Sequence, residues 1–260
     1  MIENAQLNER ALEQEKLRRE LELAAEVQRR LLPPEPPASE VATLAAFSLP
    51  ARTVGGDYYD FVDIPGDQIG IAIADVSGKG IAAALLMSVV QASLRAIAVD
   101  SEVSLSRMAA KLNGFLYRST GTNKYATFFY AQMEQRRRHL RYVNAGHNPP
   151  YLVRRTDTGV EITELKAGGT VLGLFPEVEY EEADIHLRPG DLLVAFTDGV
   201  TEALNLKAEE FGEQRLKDLL CRTAGAPAQD IASKLRDTMR EWIGDAEQHD
   251  DLTFLAMAVK

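Results

Sequence analysis

Four short blocks place aspartate where chemistry is possible. They are Val54-Gly55-Gly56-Asp57-Tyr58-Tyr59-Asp60, Ile73-Ala74-Asp75-Val76-Ser77-Gly78-Lys79-Gly80, Ala195-Phe196-Thr197-Asp198-Gly199 and Asp250-Asp251-Leu252-Thr253. In the second and third an apolar run leads straight into an Asp followed by small residues. In the fourth an Asp pair leads into an apolar run. An Asp before Gly is also a common turn, so each block alone carries little. Glycine beside an acid additionally lets a ligand approach the backbone closely. Four acids at strand ends repel one another if they converge, and a cation between them removes that cost. Oxygen-only ligands with no His or Cys partner select hard cations, Mg²⁺ or Mn²⁺.

Other chemistries fail on spacing. Gly78-Lys79 is not a phosphate-binding P-loop, because position 73 is Ile where Gly is required and Gly80 stands where Ser or Thr is required. Cys221 lacks the Arg of a cysteine phosphatase, since the sixth residue after it is Pro227; a buried structural thiol is expected. Neither His-Glu-x-x-His nor Gly-x-Ser-x-Gly occurs. The four histidines are scattered, which gives no zinc-binding pattern.

The acids need a scaffold, and the remaining pattern supplies an α+β one. Strands are expected over 41–48, 68–75, 127–134, 139–144, 151–154, 160–165, 184–187, 192–197 and 252–259. Helices are expected over 79–98, 104–117, 210–223 and 229–243. Strands come in runs with helices in pairs between them, which favours antiparallel sheets over a βαβ repeat. Upstream, residues 3–32 contain no Gly or Pro and read as one helix, stopped by Pro33-Pro34 and Pro36-Pro37. Leu17, Leu21, Ala24, Gln28 and Leu31 form two heptads, fewer than a coiled coil needs. Two readings stay open for this helix: packing on the domain, or a dimerising, signal-transmitting linker. The division expected is therefore 1–38, linker helix and Pro-rich turn, and 39–260, the main domain.

The chain has 260 residues, 45% of them hydrophobic, and 39 acids against 29 bases, a net charge of −10. That balance argues against a nucleic-acid partner. Solubility accounts for most of the excess, of which the first 38 residues hold only −2. The longest apolar run, Ile81 to Val90, is half of what a bilayer span needs, so no membrane partner is expected. One cysteine and no apolar leader fit the cytoplasm.

The four blocks, with Asn144-Ala145-Gly146-His147-Asn148-Pro149-Pro150 between them, resemble the metal-dependent serine/threonine phosphatases of the PPM (type 2C) family, in its bacterial SpoIIE/RsbU-like branch. Ala25-Glu26-Val27-Gln28-Arg29-Arg30-Leu31-Leu32-Pro33 resembles the helix preceding the catalytic domain in that branch. The resemblance implies a four-layer α-β-β-α sandwich of two antiparallel sheets and two Mn²⁺ or Mg²⁺ ions at one edge. It gives Asp75 the bridge between the metals, with the carbonyl of Val76 beside it. Asp198 and Asp250 serve one metal and Asp57 the other, and Asp251 is a further candidate. Asp75 and Asp198 are the catalytic positions, and a metal-bridging hydroxide is the implied nucleophile. Ser77 stands where many eukaryotic members carry a His that protonates the leaving group, so water is left for that task. Arg52, five residues before Asp57, and Lys79 are candidate phosphate contacts. His147 is expected to fix its Pro-rich turn, and Tyr58 and Tyr59 to pack.

The implied substrate is a phosphorylated protein of the anti-anti-sigma type in a partner-switching pathway. The N-terminal helix would pair two copies or relay an upstream sensor or activator. The alternative is a weak or inactive phosphatase-fold scaffold acting by regulated partner binding.

Overall fold

The computed structural model describes residues 2–98, 103–121 and 123–260. Two sheets face each other with helices on both outer sides, the expected four layers. The first sheet has the order β1 (Ala42–Leu49), β11 (Leu252–Val259), β10 (Leu192–Phe196), β6 (Tyr151–Thr156), β7 (Gly159–Glu164). The second has the order β2 (Tyr58–Ile64), β3 (Gln68–Val76), β4 (Ala126–Glu134), β5 (His139–Ala145), β8 (Gly168–Gly169), with β9 (Ala183–His186) also on β5. Pairing is antiparallel except for the two-residue β8, which runs parallel to β5.

Period-two alternation builds three cores from these strands. On β4, Phe129, Ala131 and Met133 point between the sheets, while Phe128 and Tyr130 point outward. The outward face is covered by α2 (Ile81–Ala98) and α3 (Leu105–Ser119). The small outward residues of β3, Ala72 and Ala74, let α2 lie close. On the other sheet, Leu252, Phe254 and Ala256 of β11 meet α5 (Gly212–Thr223) and α6 (Ala228–Ile243), while Leu255 and Met257 face the opposite sheet. Each such Leu, Phe or Met side chain contributes about 1.5–3 kcal/mol on burial. The side chain of Ser104 caps α3 by accepting from the Arg107 N–H. α2 is apolar enough by length and composition to cross a membrane, yet Met87, Val90 and Leu94 are spent on the core.

β2 is a strand where none was expected. Burial explains it: Tyr58, Val62 and Ile64 face the helices and Phe61 faces the sheets, so the run is buried on both sides. Its one fully buried acid, Asp60, accepts from Tyr58 Oη at 2.7 Å and from Arg95 at 2.7 and 2.9 Å. A short helix, α4 (Asp198–Thr201), follows β10.

α1 (Ile2–Leu31) is one continuous helix. It meets the rest of the chain through its last three turns. Ala25 packs with Val54 and Ala84, and Gln28 reaches Gly55. Leu17, Leu23 and Val27 are exposed, so the expected stripe is split: Leu21 and Gln28 lie on the half-buried side, Leu17 and Ala24 on the open one.

Candidate active site

Topology gathers the acids. β2 and β3 are antiparallel neighbours with Tyr58 opposite Ala74, so the start of β2 meets the end of β3. β10 and β11 are antiparallel neighbours with Phe196 opposite Phe254, so the end of β10 meets the start of β11. Asp57 precedes β2, Asp75 is the penultimate residue of β3, Asp198 follows β10, and Asp250 and Asp251 precede β11. All five therefore reach one edge of the sandwich. Alternation adds direction: Asp75 shares a face with Ile71 and Ile73, which point between the sheets.

The electrostatics match five converging carboxylates. Burial pushes the Asp75 carboxyl up to about 7, and the charges of Asp198, Asp250 and Asp251 push the same way, with Lys79 opposing. Burial, then the charge of Asp75, raises Asp57 well above the ordinary carboxylate range. Asp198 is raised by burial and by Asp250, against the N–H of Gly199. Glu202, one turn further along, is raised by burial and by Asp198. Such a set holds protons or cations in preference to standing bare.

Its donors are oxygens throughout, which suits a hard divalent cation. The backbone is shaped for one as well. A Cβ on Gly56 would lie 2.8 Å from the Val76 carbonyl oxygen and 3.7 Å from Asp75 Oδ1. Only a bare backbone can pass there.

Neighbours that the sequence did not single out hold these acids. Thr197 Oγ1 donates to Asp57 Oδ2 at 2.8 Å and accepts from the Thr253 N–H at 3.1 Å, tying Asp57 to both β10 and β11. Gln28 Nε2 donates to the Gly55 carbonyl at 2.7 Å, and the Gly55 N–H donates back to Gln28 Oε1 at 3.0 Å. Gln28 stands in the helix stripe, but no local signal marks it as the partner of Gly55, 27 residues away.

The remaining candidates divide. Asp251 uses one oxygen to accept from the Ala51 N–H at 2.8 Å and the other to accept from the Gly56 N–H at 2.7 Å. Asp250 pairs with Lys79 Nζ at 2.8 Å, and Lys79 also donates to the His249 carbonyl. Lys79 and Asp250 line a 290 Å³ cleft with Glu202, Glu210 and His249. A second cleft, of 380 Å³, holds Arg52, Asp57, Gln28 and Arg29 on the other side. Arg52 is exposed there.

Ser77 is engaged by Tyr125. Its N–H donates to the Tyr125 carbonyl at 2.9 Å and its hydroxyl accepts from the Tyr125 N–H at 3.0 Å. The turn at His147 is fixed by Asn144, whose Oδ1 accepts from the His147 N–H at 2.7 Å and whose amide donates to the His147 and Leu165 carbonyls. That frees the His147 ring, whose Nδ1 lies 2.8 Å from Thr127 Oγ1, and Thr127 is the cross-strand partner of Asp75. Burial lowers His147 to about 4, so the ring is neutral. Tyr58 and Tyr59 pack, Tyr58 wholly and Tyr59 in part.

Residues 65–260 match the family described as Stage II sporulation protein E (SpoIIE). The chain is 33% identical over 249 residues to phosphoserine phosphatase RsbU of Bacillus subtilis (strain 168), covering 95% of this chain and 72% of that one. Its fold is similar to the SiaA-PP2C domain of Pseudomonas aeruginosa, with a TM-score of 0.80 at 23% identity over 95% of this chain and 98% of that one. It is similar also to the RsbU and RsbW domains of Rv1364c from Mycobacterium tuberculosis, with a TM-score of 0.71 at 27% identity over 86% of this chain and 61% of that one.

Proposed function

The chain belongs to the SpoIIE family of PP2C-type phosphatases, and from that premise we propose that it hydrolyses phosphoserine or phosphothreonine on a protein partner. One observation carries the reading: Asp57, Asp75, Asp198 and Asp250 come from four strand ends to one edge, where burial and mutual charge raise three of them.

In this reading two Mn²⁺ or Mg²⁺ ions would be held by Asp75, with the Val76 carbonyl as a further ligand, together with Asp198 and Asp250 toward one ion and Asp57 toward the other. When bound, such a pair supplies Lewis acidity toward the phosphoryl oxygens and a water acidified for in-line attack. Asp75 and Asp198 are the catalytic acids. Thr197 keeps Asp57 turned inward through its hydroxyl. Asp251 organises the loop that carries Asp57, because both of its oxygens are taken by backbone N–H groups. Lys79 and Arg52 line the two clefts and are the cations offered to a phosphate. Ser77 is held by Tyr125, so solvent water protonates the leaving seryl oxygen.

The substrate reading follows the similarity to a phosphoserine phosphatase: a small phosphorylated protein of the anti-anti-sigma type, in a partner-switching pathway. Residues 1–38 act as linker and 39–260 as the catalytic domain. The exposed Leu17, Leu23 and Val27 of α1 are the surface for a second copy, and the Gln28–Gly55 contact couples that helix, or an upstream sensor, to Asp57. A cytoplasmic location completes the reading.

The test is release of phosphate from a phosphoserine protein of this type. Turnover with Mn²⁺ that chelator abolishes supports the proposal. Tight binding of the phosphoprotein with no turnover at millimolar Mn²⁺ would replace it by the scaffold reading.

A further inference from the structure

The histidines are scattered in sequence, yet strand register brings two of them together. His139 begins β5 and His186 ends β9, and the two are directly opposite in the antiparallel pair, with ring centroids 4.9 Å apart. Asp184 lies two residues before His186 and so shares its face. Its Oδ2 stands 3.1 Å from His139 Nε2. One ligand atom from each of His139, Asp184 and His186 falls within 4.8 Å of the others.

We propose that His139, Asp184 and His186 form a second metal site, for a zinc-type transition cation, separate from the acidic edge. Two imidazoles and one carboxylate suit Zn²⁺ and its neighbours and suit Mg²⁺ poorly. Ligands about 2.0–2.1 Å from a tetrahedral Zn²⁺ stand about 3.3 Å apart. The His139–Asp184 pair, at 3.1 Å, is already near that spacing, and the His186 ligand atom lies within 4.8 Å of both. Water takes the fourth position.

The surroundings favour the ion. Leu140, Tyr142 and Ile185 turn into the core between the sheets, so the three ligands project from the opposite face. Three nearby cations have partners of their own, while Arg138 Nε, next to His139 in the chain, has none. Arg141 donates to Gln132 at 2.8 Å, Arg154 pairs with Asp191, and Arg137 pairs with Glu134 at 3.3 Å. Arg154 also donates to the His186 carbonyl at 3.2 Å, holding that end of β9. The site is remote from the catalytic acids. Thr127 of β4 is opposite Asp75 and Glu134 of β4 is opposite His139, a separation of about 23 Å along the strand. Its consequence is structural: β9 pairs only with β5 among the described strands, and a shared ion pins it there.

The test is titration of the full chain with Co²⁺, read by the visible absorption of tetrahedral cobalt, followed by displacement with Zn²⁺. One equivalent is expected to give the band, which persists in Asp75→Asn and Asp198→Asn and weakens at least tenfold in affinity in His186→Ala and His139→Ala. Zn²⁺ is expected to raise the Tm of the wild type and of Asp75→Asn, and not that of His186→Ala. His186→Gln, with the same Tm as wild type in chelator, serves if the alanine variant folds poorly. Mn²⁺-dependent turnover stays unchanged in the histidine variants. No band, or a band insensitive to both histidine substitutions, overturns the proposal; so does a band lost in Asp75→Asn and retained in His186→Ala.

Discussion

Gln28 grips Gly55 with both ends of its amide, donating to the carbonyl at 2.7 Å and accepting from the N–H at 3.0 Å. Gly55 is two residues from Asp57, so the last turns of α1 set the backbone that delivers one catalytic-edge acid. Gln28→Ala removes both bonds, and because Gln28 and Gly55 line an open cleft where water replaces the amide, the cost is about 0.5 kcal/mol net for each. The expected result is a rise of about 5- to 10-fold in the Mn²⁺ concentration for half-maximal activity, with turnover largely recovered at saturating Mn²⁺. A metal titration of activity checks it. An unchanged Mn²⁺ profile would separate α1 from the site.

Asp251 is expected to stabilise the protein without metal. Asp251→Ala strands the Ala51 and Gly56 N–H groups, at a cost of about 2–4 kcal/mol. Urea unfolding in chelator measures it, and Asp251→Asn, which keeps an acceptor, loses less. A loss seen only in the presence of Mn²⁺ would return Asp251 to the metal shell.

Gly56 guards the Val76 carbonyl. Gly56→Ala puts a Cβ 2.8 Å from that backbone oxygen and 3.2 Å from the Ala83 Cβ, neither of which can rotate away. Activity at limiting Mn²⁺ is expected to fall more than tenfold, with part of it restored by excess metal. Steady-state kinetics across a Mn²⁺ series distinguish this from general unfolding, which excess metal would not reverse at constant Tm.

Metal-free protein is expected to lose stability as pH rises. The folded carboxyl of Asp75, pushed up to about 7, binds its proton more tightly than an unfolded carboxyl near 3.9. Between roughly pH 4 and 7 the folded state therefore holds more protons than the unfolded one, and unfolding free energy falls with pH. Asp57 and Asp198 are raised too and act in the same sense. In chelator, Tm should be lower at pH 7.5 than at 5.5, and Mn²⁺ should raise it more at 7.5. Asp75→Asn should flatten the slope and stabilise the metal-free protein by about 1–2 kcal/mol at pH 7.5, or roughly 2–8 °C. Differential scanning calorimetry reads both.

Asp75 and Asp198 were legible because an apolar strand stops at each, Asp250 and Asp251 because they open one, and Asp57 because Gly55-Gly56 stands before it. The strands themselves, such as Thr127 to Glu134 and Leu252 to Val259, were legible from their apolar runs, whereas the four-layer stacking was implied by the resemblance to the phosphatase family and not by the pattern. β2 was not legible. Asp60 and Asp63 interrupt its apolar run, and Asp60 is tolerated only because Arg95 and Tyr58 meet it. Contacts set by long-range packing were also silent. Gln28 meets Gly55, Thr197 meets Asp57, and His139 meets His186 through register that no local spacing encodes. His147 was read as a turn residue, yet Asn144 does that work and the His147 ring turns toward Thr127.

The central claim is that Asp75 and Asp198 do their chemistry as one metal-holding edge. Phosphate release from a phosphoserine protein, measured with saturating Mn²⁺ for wild type, Asp75→Asn and Asp198→Asn at equal folded fraction, tests it most directly. Loss of about 10²- to 10³-fold in turnover is expected for each variant, the scale on which removal of a group that stabilises transition-state charge is felt. Wild-type turnover in either variant, with chelator still abolishing it, would contradict the assignment.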